Sequence, residues 1–127
     1  MKLLLDTHIL IWASKNNPKL SKSAKNLILN EDNDIYFSTA AIWELIIKKN
    51  TGKFDIDIKS FVDALYNMNF FELPIEMVHI FKLEELENYH KDPFDRIMIA
   101  QALAEPIKLL THNKILLQYS PDLIEYV

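Results

Sequence analysis

Two carboxylates three residues apart, Asp92 and Asp95, open a strongly apolar segment spanning residues 97–103. Pro93, between them, has no N–H and a fixed φ. It suits the first turn of a helix, with Asp92 as N-cap and Asp95 at the third helical position. Residues three apart lie on nearly the same helical face, so both acids meet at the positive end of a helix whose later turns read as buried. An Asp N-cap followed by an acid at that position is also an ordinary way to begin a helix. Chemistry therefore requires other acids to join them, and two stand out. Asp6 directly follows the apolar Leu3, Leu4 and Leu5, where it can also cap a helix beginning at Thr7. Glu44 sits inside an apolar helical run, residues 40–47, where a charge is costly unless paired or coordinated. Lys48, four residues on, is its alternative partner.

Gathered in one place, four carboxylates repel each other and some are driven to protonate; a divalent cation removes the conflict. Oxygen donors in a chain without cysteine favour a hard ion, Mg²⁺ or Mn²⁺. The histidines, His8, His79, His90 and His112, form no paired zinc motif, and His79 reads as an ordinary residue of its helix.

Bulk properties exclude other chemistries. The chain has 127 residues, half of them hydrophobic, which fits one domain over residues 1–127 with a real core. The lack of cysteine removes disulfides and thiolate nucleophiles. A single glycine, Gly52, cannot build a phosphate-cradling loop. A net charge of −4 is not that of a generally basic nucleic-acid binder, so any such contact needs a local patch or bound cations. The only arginine is Arg96, directly after the acidic pair, placed for a helix-surface ion pair or for a phosphate. Asp6 and His8 interrupt the apolar N-terminus too early for a signal peptide, and no uncharged stretch reaches the ~18 residues needed to span a bilayer. These features lead us to expect a soluble, cytoplasmic protein without membrane contact.

The elements that must position the acids follow from periodicity and breakers. Short apolar runs predict strands at 3–5, 35–37, 70–73, 107–110 and 123–127. Helical spacing predicts helices at 7–13, 21–29, 40–49 (closed by Gly52), 59–67, 76–86 and 93–104, with a short turn or helix after His112. The alternation indicates an α/β domain with a mostly parallel sheet of four to five strands. Ligands of such sheets bind beyond the carboxyl ends of the strands, which here carry Asp6, Ser38 and Thr111.

Taken in order, these motifs resemble PIN-domain ribonucleases of the VapC toxin type over nearly the whole chain. Leu4-Leu5-Asp6-Thr7-His8 resembles the first acidic motif. Ser38 through Ile42-Trp43-Glu44-Leu45, with Lys48 and Gly52-Lys53, resembles the second. His90-Lys91-Asp92-Pro93-Phe94-Asp95-Arg96, running on to Ala100-Gln101-Ala102, resembles the third, and Thr111, Leu116 and Tyr119 the fourth. The resemblance implies a three-layer α/β/α sandwich and a Mg²⁺- or Mn²⁺-dependent endoribonuclease. It also implies a cognate antitoxin that covers the site and a homodimer. It carries catalytic and metal-binding roles onto Asp6, Glu44, Asp92 and Asp95. Thr7, Ser38, Thr111 and Asn113 become candidates to support them, and Lys48, Lys49, Lys91 and Arg96 candidates to meet RNA phosphates. One departure stands out: where the family has a further Asp two residues after the threonine, this chain has Asn113, which offers a carbonyl oxygen but no charge. That substitution favours the main rival, a PIN-like module that binds RNA or a protein without cutting. A receiver-type protein needs a phosphoacceptor Asp at the end of a central strand, and Asp55 and Asp57 follow none. A DxDx(T/V) phosphatase has an Asp where His8 stands.

Overall fold

The computed structural model describes residues 1–127. Its order is β1 (Lys2–Leu5), α1 (Thr7–Ser14), α2 (Lys22–Leu29), β2 (Asp34–Ser38), α3 (Thr39–Asn50), α4 (Ile58–Asn67), β3 (Phe71–Leu73), α5 (Met77–Glu85), α6 (Pro93–Ala104), β4 (Lys108–Thr111), a 3₁₀ turn (Lys114–Gln118) and β5 (Ile124–Tyr126). The five strands form one sheet in the order β3-β2-β1-β4-β5. Every pairing is parallel, and helices cover both faces in a three-layer α/β/α arrangement.

Burial on both faces explains the strand sequences. Leu3, Leu4 and Leu5 are all fully buried, as are Leu109 and Leu110, so these strands read as continuous apolar runs rather than alternating ones. Helix starts are set by local chemistry. Asp6, Ser21, Ser38 and Asp92 each accept a hydrogen bond from a backbone N–H in the first turn of the helix they precede. Helix α3 stops where Gly52 takes φ +77° and its N–H donates to the Lys49 carbonyl (3.0 Å).

The strand order decides where a site can form. The chain builds β1, β2 and β3 outward in one direction, then returns to lay β4 against the other edge of β1. The carboxyl ends of β1 and β4 therefore flank the point where winding reverses, and the connections leaving them diverge and open a crevice. Asp6 leaves β1 there and Thr111 ends β4.

His79 lies on α5, as the spacing predicts, and the structure adds its partners. It is fully buried. Its Nδ1 accepts from the Glu76 N–H (2.9 Å) and its Nε2 meets Glu105 (2.6 Å), tying the start of α5 to the end of α6.

Candidate active site

Asp6, Glu44, Asp92 and Asp95 line one pocket of about 440 Å³ together with Thr7, His8, Trp12, Lys48, His112, Asn113 and Lys114. Three separate stretches of chain supply the acids, and each acid is held by the element that carries it.

Asp6 is buried at the mouth of the sheet. Its Oδ1 accepts from the Ile9 N–H (2.9 Å) as the cap of α1. Its Oδ2 accepts from the Thr111 hydroxyl (2.5 Å) and the His112 N–H (3.2 Å). Burial pushes its pKa up, and those donors and nearby His8 oppose the shift without cancelling it. It therefore caps a helix and lines the pocket at the same time.

Glu44 has the Lys48 partner that its alternative reading expected, and it also lines the pocket. It is buried, pairs with Lys48 across one helical turn (3.0 Å) and accepts from the Thr7 hydroxyl (2.6 Å). Asp92 spends one oxygen, Oδ1, on capping α6 through the N–H groups of Phe94 (2.8 Å) and Asp95 (3.0 Å). The Asp95 Oδ2 meets His90 Nε2 at 2.7 Å. Burial pushes the Asp95 pKa up to about 6; the His90 hydrogen bond lowers it, and the charges of Asp92 and Asp6 add to the rise.

The donor set suits a hard dication in chemical type, since every acid in the pocket is a carboxylate and two of them carry a burial cost that a cation would offset. Each acid is occupied by hydrogen bonds of its own, and no three His, Asp or Glu side chains converge closely enough to hold an ion together in these rotamers.

The supporting residues divide. Thr7 and Thr111 hold the carboxylates of Glu44 and Asp6. Asn113 lines the pocket while its Oδ1 caps the 3₁₀ turn by accepting from the Ile115 N–H (3.1 Å). Ser38 is elsewhere. Its hydroxyl donates to Gln101 Oε1 (2.6 Å), and the Gln101 amide donates to the Leu73 carbonyl (3.3 Å), so this fully buried pair joins α6 to β2 and β3. Ser38→Ala should strand the Gln101 carbonyl and lower unfolding stability by about 1–3 kcal/mol. A denaturant titration with an unchanged m-value checks it; metal affinity should not move.

Arg96 is not in the pocket either. Its Nη1 donates to the carbonyls of Glu87 (2.8 Å) and His90 (3.2 Å) and to the Tyr119 hydroxyl (3.0 Å), clamping the loop before α6. A charged guanidinium closes three loop acceptors at once, which an exposed ion pair would not do. Lys49 and Lys91 are exposed and lie outside the pocket lining; Lys48 is part of it. The sequence reading missed His90 as the partner of Asp95, and missed Trp12, His8, His112 and Lys114 as walls of the pocket. Their adjacency to Asp6, Asp92 and Thr111 was the available signal.

Residues 3–120 match the family model described as PIN domain. No curated protein matches the chain. Among solved structures it is similar to VapBC2 from Rickettsia felis, bound to a DNA fragment from their promoter, with 18% identity and a TM-score of 0.72 over 99% of this chain and 98% of that one. It is similar to VapBC-1 from nontypeable Haemophilus influenzae, with 21% identity and a TM-score of 0.68 over 100% and 97%. A toxin–antitoxin complex from Klebsiella pneumoniae is a further match, with 19% identity and a TM-score of 0.67 over 97% and 95%. At such identities the likeness is one of fold.

Proposed function

The chain belongs to the PIN-domain family, and on that footing we propose that it is a metal-dependent endoribonuclease, the toxin of a toxin–antitoxin pair. The observation that carries the reading is the meeting of Asp6, Glu44, Asp92 and Asp95, from distant parts of the chain, in one pocket at the switch point of the sheet. A cluster of acids is a poor binding surface for RNA by itself and a good one for cations that can bridge to phosphate.

Asp6 and Asp95 are the principal ligands in this reading, and Glu44 and Asp92 either join them or orient the attacking water. Bound Mg²⁺ or Mn²⁺ would lower the pKa of water and offset charge at the phosphoryl group. Thr7 and Thr111 keep two of the carboxylates aimed. Lys48 neutralises Glu44 and stands in the pocket, where it can meet a phosphate. Hydrolysis breaks the bond from phosphorus to the 3′ oxygen and leaves a 5′ phosphate, as the family resemblance implies. The test is cleavage of structured RNAs in Mn²⁺ with and without EDTA. Cutting that survives EDTA contradicts the mechanism, and RNA binding without any cutting supports the non-cleaving module.

Two protein partners belong to the same reading, an antitoxin that covers the site and a second copy of the chain. Trp43, Ile80 and Phe94 contribute to an apolar surface groove with Ile75, Leu83 and Ile97, and neighbouring Met77 and Phe81 are exposed. An exposed groove lined by apolar side chains supports a protein contact. The oligomeric state by light scattering tests the dimer.

Asn113→Asp should tighten Mn²⁺ binding. A carboxylate at this position can keep capping the 3₁₀ turn with one oxygen and turn the other to the pocket. At ~5 Å and an effective dielectric of about 20, a pair of unit charges is worth roughly 3 kcal/mol. Repulsion from the other acids and solvent screening reduce the net gain to about 1–2 kcal/mol, roughly tenfold in affinity. Calorimetric titration of both forms measures it; equal affinities would mean that position 113 does not reach the ion.

A further inference from the structure

One wall of the pocket has chemistry that hydrolysis does not use. His8 and Trp12 stand one turn apart on α1 with ring centroids 5.9 Å apart. Trp12 meets His112 edge-on at 5.2 Å and 74°. His112 lies over Tyr126 at 5.1 Å and 21°, and Lys114 Nζ stands 5.2 Å from the Tyr126 ring centroid. His8 and His112 are exposed and Trp12 is half-buried. His8, Trp12, His112 and Lys114 line the same pocket as the acids.

This row is built into the acidic site rather than lying near it. Asp6 caps the helix that carries His8 and Trp12, and the His112 N–H donates to Asp6 Oδ2 (3.2 Å). The His112 Nδ1 and the Val127 carbonyl are 2.8 Å apart, which fixes the ring. A group resting on these rings is thus held next to whatever phosphate Asp6 serves.

We propose that the row of His8, Trp12 and His112 is a stacking subsite for a nucleobase of single-stranded RNA, adjacent to the phosphate that is cut. The proposal rests on the nuclease reading and names its substrate class. Aromatic rings accept any base through its π-face, and Lys114 beside them suits a neighbouring phosphate. The composition differs from the groove around Ile80 and Phe94, which lacks polar side chains and suits a protein. A base in a duplex is already stacked on both faces, so only an unpaired base can use this wall.

The experiment uses full-length protein carrying Asp95→Asn, with Mn²⁺, and a single-stranded oligoribonucleotide containing 2-aminopurine, whose fluorescence is quenched by stacking. Quenching is expected on binding. Adding His112→Ala should weaken binding about tenfold and remove the quenching, whereas His112→Tyr should retain both. With Asp95 intact, His112→Ala should raise KM and leave kcat nearly unchanged. His8→Ala, at an exposed helix position, carries the same test should His112→Ala fail to fold. Unaltered binding in both alanine variants, or an equal loss for duplex and single-stranded RNA, overturns the stacking subsite and leaves the nuclease reading intact. A wild type that cuts no RNA in Mn²⁺ removes the nuclease reading and this proposal with it.

Discussion

Asp95→Asn is expected to lower RNA cleavage by about a hundredfold or more and, at neutral pH without metal, to raise the melting temperature. The first effect follows from removing a charged ligand when even outer partners of a metal site are worth 10–100-fold. The second follows from linkage. Burial holds the Asp95 pKa at about 6, above its ordinary value of 3.8. The native state then binds this proton more tightly than the unfolded chain does. The stabilisation is complete below about pH 4 and is lost as pH rises through about 6. At 1.36 kcal/mol per pKa unit the shift corresponds to roughly 3 kcal/mol, which solvent screening of a partly exposed group reduces to about 1–2 kcal/mol. Asparagine is neutral at every pH, can still accept from His90, and escapes that loss. Stability between pH 4 and 7 should accordingly fall more steeply in the wild type than in the variant, which keeps only the contribution of Asp6. Thermal melts across pH, paired with a cleavage assay, measure both effects. A variant that loses cleavage and also melts lower at pH 7 would show Asp95 to be a structural residue.

Millimolar Mn²⁺ should stabilise the wild type strongly at neutral pH and Asp95→Asn much less. The acids repel one another in the pocket, and the raised pKa values of Asp6 and Asp95 register the cost of leaving them charged and buried. A ligand that binds only the native state contributes RT ln(1+[L]/Kd), about 2.7 kcal/mol at 100 times Kd. In a domain of this size that amounts to a rise on the order of 10 °C. The gain should shrink below pH 5, where protons compete with the metal for the same oxygens. An unchanged melting curve across a Mn²⁺ series would count against a shared metal site.

Sequence by itself determined the elements and the candidate acids, because both are written in short-range chemistry. The apolar runs at Leu3–Leu5 and Leu109–Leu110 show strands buried on both faces. The Asp92-Pro93 pair sets the start of α6 and Gly52 marks the close of α3, since caps and breakers act over a few residues. Glu44 was conspicuous because a charge in an apolar helix requires a partner. The order β3-β2-β1-β4-β5 was not written locally. It brings Asp6 and Thr111, 105 residues apart, to a 2.5 Å hydrogen bond. Partner choice was equally invisible. Ser38 ends a strand as Asp6 does, yet β2 lies to one side of the switch point, and its hydroxyl turns to Gln101. Arg96 follows the acidic pair in sequence, but its Nη1 reaches back to the loop carbonyls of Glu87 and His90, outside the acidic pocket. Local patterns decide which groups exist at each position; only the packed sheet and its crossovers decide which of them meet.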